Sequence, residues 1–332
     1  MKKFLFLIIL PTLFFVSCKK DSSTIDDTIT VDMGTNSIYD TYYSFDKGQV
    51  KTIANTDWDI AFSVPVMTAS IIISEGAGVQ LWCVGDTNAW SKVNQSTINN
   101  LQPRYNDKSN WMNGAFNQNS VSPFNFGWGT YHMDTHNVIG DSIYIIKLTD
   151  GSYKKLFIRE KNGSADTYVL RWANPDGSHQ VDTSISPATY SATKNFIHYS
   201  ILNKKLIEAE PDKDKWDLLF TNYIVKLQTG PTSFMDQPVV GVLANKDVKL
   251  LKVTGIAPEN ASLSDSTSGF SSQADLIGWD WKTYNQNTSQ YSITADTSYF
   301  AKLAGGSIYK IYFTRYIGHA TGTIEFKTKL VE

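Results

Sequence analysis

The stretch DSIYIIKLTDGSYKKLFI, residues 141 to 158, recurs later in the chain as DTSYFAKLAGGSIYKIYF, residues 296 to 313. Both copies carry aromatic and β-branched residues on either side of a short glycine-containing segment, a pattern typical of two strands joined by a tight turn. The identical positions are Asp141, Tyr144, Lys147, Leu148, Gly151, Ser152 and Lys155, with their counterparts Asp296, Tyr299, Lys302, Leu303, Gly306, Ser307 and Lys310. The stretch therefore predicts a β-hairpin that the chain uses twice.

Other segments recur in the same order and at a similar spacing. They are WDIAF at 58 to 62 with WDLLF at 216 to 220, the Tyr-Ser pairs at 43 to 44 and 199 to 200, and FGWGTYH at 126 to 132 with WDWKTYN at 279 to 285. An internal repeat of this length indicates a duplicated structural unit. We predict two tandem, duplicated β-rich modules, residues 38 to 172 and 198 to 332. The turn-rich segment at 173 to 197 is expected to be a linker that has room for a hairpin.

The rest of the chain also favours strands. Runs such as TYVLRW, KLLKVTG and GTIEFKTKL are rich in β-branched and aromatic residues, and Gly, Asn and Asp punctuate them. No long stretch has the 3.6-residue apolar period of an amphipathic helix. These patterns predict an all-β protein.

The first residues, MKKFLFLIILPTLFFVSCKK, have the pattern of a bacterial lipoprotein signal. Two lysines precede an apolar block, and a small residue stands directly before Cys18, after which the chain becomes polar. The apolar run is shorter than the roughly 20 residues that a membrane-spanning helix needs. We expect residues 1 to 17 to be removed and Cys18 to carry the lipid, with residues 18 to 37 as a polar tether. The protein would then be exported and attached to the outer membrane only through its lipid.

Composition and motifs exclude several classes of function. The formal charge is -2, and loss of Lys2 and Lys3 with the signal makes it more negative, so no basic surface for nucleic acid is expected. Only Cys83 remains after Cys18, so the mature chain cannot form an internal disulfide. The sequence contains no G-x-S-x-G, H-E-x-x-H or P-loop motif. We therefore predict that the protein is not an enzyme.

The joint order of these segments resembles the HmuY-like haem-binding lipoproteins of bacterial outer membranes. The resemblance rests on the lipoprotein signal, YYSFDKGQ from Tyr42, the WDIAF and WDLLF strands, the two closing hairpins, and GHATGTIEFKTKL from Gly318. It implies an all-β body whose hairpins hold one haem between two axial ligands, which are histidines or methionines. It also implies partners: haem or host haemoproteins, and a TonB-dependent outer-membrane receptor that takes up the haem.

In the resembled family the ligands lie between the WDIAF-type strand and the closing strands. The side chains that could ligate iron in this interval are Met67, Met112, His132, Met133 and His136 in module one, and Met235 in module two. His132 aligns with Asn285, so the second copy lacks the histidines that a shared scaffold would have kept. We expect haem between the GTYHMDTHNV segment, residues 129 to 138, and a second segment that carries Met112. His132 is the favoured ligand on the first side, with His136 and Met133 as further candidates.

Other interpretations of the same residues remain open. Histidines in a loop between strands are often only solvated, and two residues four apart on a strand lie about 13 Å from each other, too far to bind one ion together. Trp279 and Trp281 would alternate onto one face of a strand, where they could form a stacking surface for glycan or protein. A structural lipoprotein without haem is the third alternative.

Overall fold

The computed structural model describes residues 27 to 65, 68 to 118, 120 to 121, 123 to 187 and 193 to 332. The predicted signal segment with Cys18 lies outside the described residues, as does Met67. Within the described ranges, no helix is both long enough and apolar enough to cross a membrane.

The chain folds into antiparallel sheets, which confirms the predicted all-β class. Strands β1 to β11 are Asp27–Asp32, Tyr39–Ser44, Gly48–Ala54, Ile60–Ser63, Ile71–Ile73, Gln80–Asp86, Gly129–His132, Asn137–Gly140, Ser142–Lys147, Tyr153–Asn162 and Thr167–Ala173. Strands β12 to β22 are Val181–Ile185, Phe196–Ser200, Lys205–Ile207, Leu218–Gln228, Phe234–Ala244, Lys249–Thr254, Lys282–Asn285, Gln290–Ile293, Thr297–Lys302, Ile308–Tyr316 and Thr323–Leu330. Short 3-10 turns span Thr35–Ser37, Asn55–Asp57, Glu75–Ala77, Thr87–Ala89, Gln95–Asn100, Ala115–Asn117, Leu263–Asp265 and Gly318–Ala320.

Both copies of the stretch that begins at Asp141 and Asp296 form a hairpin, β9 with β10 and β20 with β21. Backbone hydrogen bonds close the two turns, donated by the N–H groups of Leu148 (2.8 Å) and Leu303 (2.9 Å). Gly151 and Gly306 have φ angles of 82° and 94°. Glycine populates this left-handed region without the steric cost that a Cβ imposes, which explains why both turns carry a glycine at this position.

The strands form four main sheets. A five-stranded sheet runs β1-β22-β21-β20-β17, and a seven-stranded sheet contains β12-β11-β10-β8-β7 with β9 and β6. We call β16-β15-β2-β3 the first shared sheet and β14-β13-β4-β5 the second shared sheet. Each shared sheet combines two strands from each predicted module. A two-stranded sheet, β18 with β19, completes the described pairings.

The shared sheets show that the two predicted modules exchange strands. In the first shared sheet Tyr43 of β2 lies opposite Leu218 of β15. In the second, Tyr199 of β13 lies opposite Ile60 of β4. These four residues correspond in the repeat alignment, so the two exchanged pairs have the same register. A duplication with exchanged strands would produce this match, and the duplication itself stays a prediction.

Strands lie in both segments that were expected to flank or connect the modules. Residues 27 to 32, in the second half of the predicted tether, form β1 and pair with β22. Ile29 and Val31 alternate along this strand toward the core, and Val31 is fully buried, so burial stabilises a segment too short to show a clear period. The predicted linker supplies β12, which pairs with β11 in a hairpin.

Two large hydrophobic clusters fill the body beneath the sheets, one containing Trp128 and Tyr168, the other Trp281 and Phe313. Trp281 is 1% exposed and stacks on Phe313 with ring centroids 4.0 Å apart. A glycan platform that needs the exposed faces of both Trp279 and Trp281 is excluded by this burial. Trp281 belongs to the core, whereas Trp279 is half-buried.

Candidate functional site

An open cleft of about 610 Å³ lies beside the hairpin of β7 and β8. This volume falls within the range of about 300–1,000 Å³ that small-molecule and cofactor pockets occupy. Its lining includes the aromatic residues Phe124, Phe126 and Tyr131 and the possible iron ligands Met133 and His136. The cleft therefore combines apolar surface with donors that were candidates from the sequence.

The backbone behind the hairpin turn is held tightly. A Cβ on Gly163 would lie 2.1 Å from the carbonyl oxygen of His136, so this approach requires glycine. The Gly163 N–H also donates to Asn137 Oδ1 at 2.9 Å. His136 itself has a φ of 59°. Its backbone is thus fixed by the neighbouring turn after β10 in a conformation that few L-residues adopt.

The imidazole of His136 is oriented by a single strong contact. The Tyr131 hydroxyl lies 2.6 Å from His136 Nδ1. Because Nδ1 is engaged, Nε2 is the ring nitrogen available to a metal, the usual division of roles in histidine ligands. Met133 lies three residues earlier in the same turn and is 71% exposed, which places a soft thioether on the rim of the same cleft.

One wall of the cleft is a pair of parallel aromatic rings. Phe124 and Tyr131 stack with centroids 6.1 Å apart and planes inclined by 14°. The Tyr131 N–H donates to the Phe124 carbonyl at 2.7 Å, which joins the two segments. Phe124 remains 47% exposed. A flat apolar surface left open to solvent in this way suits a planar apolar ligand.

The lining of the cleft includes a buried lysine that already has an ion-pair partner. Lys161 is 3% exposed, forms an ion pair with Asp166 at 3.5 Å and donates to the carbonyl groups of Pro65 and Thr68. Burial lowers its pKa, an effect that Asp166 opposes. Lys161 therefore ties Pro65 and Thr68 to β10 and lines the cleft.

The other two candidates from the sequence lie elsewhere. His132 ends β7 and is exposed, and Met112 is half-buried, with its N–H bonded to Asn110 Oδ1 at 3.0 Å. Neither lines the cleft. The structure therefore brings Met133 and His136 to one site and does not bring Met112 to it. The pairing of His132 with Met112 stays a prediction.

Sequence reasoning missed the role of Phe124. The signal was present, since Phe124 and Phe126 alternate just before the hairpin in SPFNFGW. Trp128, two residues after Phe126, is fully buried and donates from Nε1 to the Ala69 carbonyl at 2.9 Å. Among the described residues, no three His, Cys, Asp or Glu side chains come together as a metal site.

Comparisons with known proteins give little further information. The sequence matches no protein-family model and no curated protein. A crystal structure of a Bacteroides vulgatus protein described as HmuY-like and heme-binding aligns with 51% of this chain and 93% of its own chain. The identity is 16% and the TM-score 0.17. A likeness this weak carries no argument about fold or function.

Proposed function

We propose that the protein is a non-enzymatic haem-binding lipoprotein that holds haem in the cleft beside the β7–β8 hairpin. The observation that carries the proposal is the meeting of His136 and Met133 with the Phe124–Tyr131 wall in one open cleft. Haem iron accepts histidine or methionine as an axial ligand, and the porphyrin has large apolar faces. Burying about 200 Å² of such surface contributes about 5 kcal/mol.

We assign the axial ligand to His136 rather than to His132. Tyr131 holds the imidazole by Nδ1 before any ligand arrives, so little side-chain freedom is lost on binding. Met133 lies on the same turn and would offer an apolar contact to the porphyrin edge. A second iron ligand would have to come from a different part of the chain, because donors three residues apart in one turn would reach the iron from the same side.

The expected cellular location of the protein follows from its first residues. The lipoprotein signal motivates an outer-membrane lipoprotein, and the resemblance to HmuY-like proteins motivates a role in haem and iron acquisition. Its partners would be haem or host haemoproteins and a TonB-dependent receptor.

Titration with haemin tests the ligand assignment. We expect wild-type mature protein to give a saturable Soret band with one haem per chain. His136→Ala should shift this band and weaken binding about tenfold, which corresponds to about 1.4 kcal/mol for one lost coordination bond. The matched control is His132→Ala, which removes an imidazole four residues away and should leave both quantities unchanged. Absence of a saturable band in the wild type would refute haem binding. A spectral shift in His132→Ala alone would return the ligand to His132.

Labelling with a radioactive fatty acid tests the predicted lipid anchor at Cys18 separately. Cys18→Ala should abolish lipid labelling and move the protein out of the membrane fraction or leave it as the uncleaved precursor, because processing of this signal class waits on the modified cysteine. Incorporation of radiolabelled fatty acid, followed by gel electrophoresis, measures the result. Cys83→Ala removes the other cysteine and should retain the label. Equal labelling of Cys18→Ala and wild type would rule out Cys18 as the lipid site.

A further inference from the structure

A second cavity, distinct from the haem cleft, lies between the two shared sheets. Its free volume is about 70 Å³. One water molecule needs about 10–15 Å³ by the same kind of measure, so the cavity has room for about five heavy atoms. Strands of both predicted modules line it, together with the 106 to 111 segment. The cavity therefore exists only because the modules exchange strands.

Negative charge dominates the lining. Asp40, Glu75, Asp107 and Glu210 supply carboxylates, and Lys108 supplies an ammonium group. The Lys108 ammonium is bound to Glu75 in an ion pair. Buried charges are normally paired, because an isolated charge loses its hydration without compensation. The lining thus has a surplus of carboxylates over cations.

The carboxylates differ in the number of hydrogen bonds that they accept from the protein. Glu210 accepts hydrogen bonds from the backbone N–H groups of Asn195 and Phe196, the Asn195 amide and the Trp216 indole. Asp40, which is 5% exposed, accepts one bond, from the Thr221 hydroxyl to Oδ1 at 2.6 Å. Asp40 is therefore the carboxylate of this cavity that accepts the fewest hydrogen bonds, with only the Trp58 indole beside it as a further donor.

The Trp58 indole N–H faces the same carboxylate. Trp58 is 7% exposed, and apart from its approach to Asp40 its Nε1 makes no hydrogen bond with any residue that the structure describes. Burial raises the pKa of Asp40 to about 6, and hydrogen bonding from Thr221 and Trp58 opposes that rise. His198 meets the Trp58 ring edge-to-face at 4.6 Å. Burial, aided by Lys51 and Lys194, lowers the pKa of His198 to about 3, so the imidazole is neutral and leaves Asp40 without a cationic neighbour there.

Aromatic rings complete the lining, and one of them already receives a cation. Lys108 Nζ lies 5.7 Å from the centroid of Tyr223. Trp58 and Trp111 also line the cavity. Cations with weak hydration bind such faces, and a nearby carboxylate strengthens the attraction.

We propose that this cavity binds a small organic ammonium ion of about five heavy atoms, with its charge against Asp40 and its carbon atoms against Trp58 and Trp111. The proposal does not rest on haem binding, because the lining residues of the cavity and of the cleft do not overlap. Its small volume favours small amines, and its surplus of carboxylates disfavours anions.

Calorimetric titration of the apo protein at pH 8 tests the proposal, with tetramethylammonium and butylammonium as probes. Neutral tert-butanol and butan-1-ol match these probes in size. At this pH the Asp40 carboxylate is ionised. We expect each ammonium probe to bind at least tenfold more tightly than its neutral match and to change the tryptophan fluorescence. Equal binding of ammonium and alcohol, or no binding of either ammonium probe, would overturn the proposal.

Two variants locate the site. Asp40→Asn keeps the shape and an acceptor for Thr221 but removes the charge, so it should abolish most of the preference for ammonium. Asp57→Asn changes the net charge equally at an exposed residue outside the cavity and should retain the preference. If Asp40→Asn does not fold, Trp111→Phe, which trims one wall, should weaken tetramethylammonium binding at least threefold. An undiminished preference for ammonium in the folded Asp40→Asn protein, or unweakened tetramethylammonium binding in Trp111→Phe, would contradict the assignment.

Discussion

Replacement of Asp59 by alanine is expected to lower the free energy of unfolding by about 2–4 kcal/mol. Asp59 is 1% exposed, and its Oδ2 accepts from the backbone N–H groups of Ile201 (2.7 Å) and Leu202 (3.2 Å) and from the Ser200 hydroxyl (3.2 Å). Alanine would leave these donors without an acceptor, two of them fully buried. Each unsatisfied buried donor costs about 1–3 kcal/mol, which sets the expected range.

The effect should be large because Asp59 joins the two halves of the chain. Its own N–H donates to the Tyr199 carbonyl at 3.0 Å, so backbone and side chain together hold the turn after β13 against β4. Asp217 makes the corresponding contacts in the opposite direction. Its N–H donates to the Tyr43 carbonyl at 2.7 Å, and its Oδ2 accepts from the Phe45 N–H at 2.8 Å. Asp59 and Asp217, each directly after a tryptophan, thus bind backbone groups at the end of an exchanged strand of the other predicted module.

Urea denaturation of three variants measures this contribution. Asp59→Asn places an oxygen where Oδ2 lies and should cost less than half as much as Asp59→Ala. Asp217→Ala should cost about 1–2 kcal/mol, because Asp217 is only partly buried and engages fewer backbone donors. Coincident denaturation midpoints for Asp59→Ala and wild type would show that the contact adds no stability. Equal losses for Asp59→Asn and Asp59→Ala would show that the hydrogen bonds are not its source.

The repeat in the sequence located the strands well but could not determine their partners. Trp58-Asp59-Ile60 and Trp216-Asp217-Leu218 present the same alternation of side chains, so β2 could pair with β4 or with β15 at equal local cost. The choice depends on the connections between strands and on the packing of whole sheets, which no local pattern encodes. The register, in contrast, follows from the alternation, because a one-residue slip would turn every buried side chain to the opposite face.

The candidate site was predictable in composition but not in geometry. The segments that line the cleft lie far apart in sequence, at 68 to 69, 123 to 138 and 161 to 164. Which histidine faces the cleft is decided by the turn after β7, where His136 has a left-handed backbone and hydrogen-bonds Tyr131. Sequence spacing alone does not distinguish His132 from His136 as the candidate iron ligand. Short-range pattern therefore identified the segment that borders the cleft, and only tertiary contacts distinguished its side chains.

Replacement of Glu75 by alanine is expected to cause the larger loss of stability, about 3–5 kcal/mol. Glu75 is 3% exposed and forms an ion pair with Lys108. Its carboxylate also accepts from the backbone N–H of Asn106 at 2.7 Å and of Ile224 at 2.9 Å. Loss of one partner from a buried ion pair leaves the other charge uncompensated, which costs about this amount.

The position of Glu75 explains why three elements depend on it. It begins the 3-10 turn that follows β5. Asn106 and Lys108 belong to the long segment between β6 and β7, and Ile224 belongs to β15. One carboxylate therefore binds this segment and the first shared sheet to the second shared sheet. Burial raises the pKa of Glu75, and the Lys108 charge opposes that shift. The Lys108 charge thus stabilises the ionised form of the buried carboxylate.

A double-mutant cycle separates the ion pair from the backbone contacts. Lys108→Met should cost about 2–3 kcal/mol, because the remaining carboxylate keeps its two N–H donors. Glu75→Gln with Lys108→Met removes both charges and should recover at least about 1 kcal/mol relative to the sum of the single variants, since neutral replacement of a buried pair costs little. Glu325→Gln, which breaks the more exposed Arg315–Glu325 pair at 3.2 Å, should change stability by at most about 1 kcal/mol. Additive losses in the cycle, or a Glu75→Gln loss as small as that of Glu325→Gln, would mean that burial does not strengthen the coupling between Glu75 and Lys108.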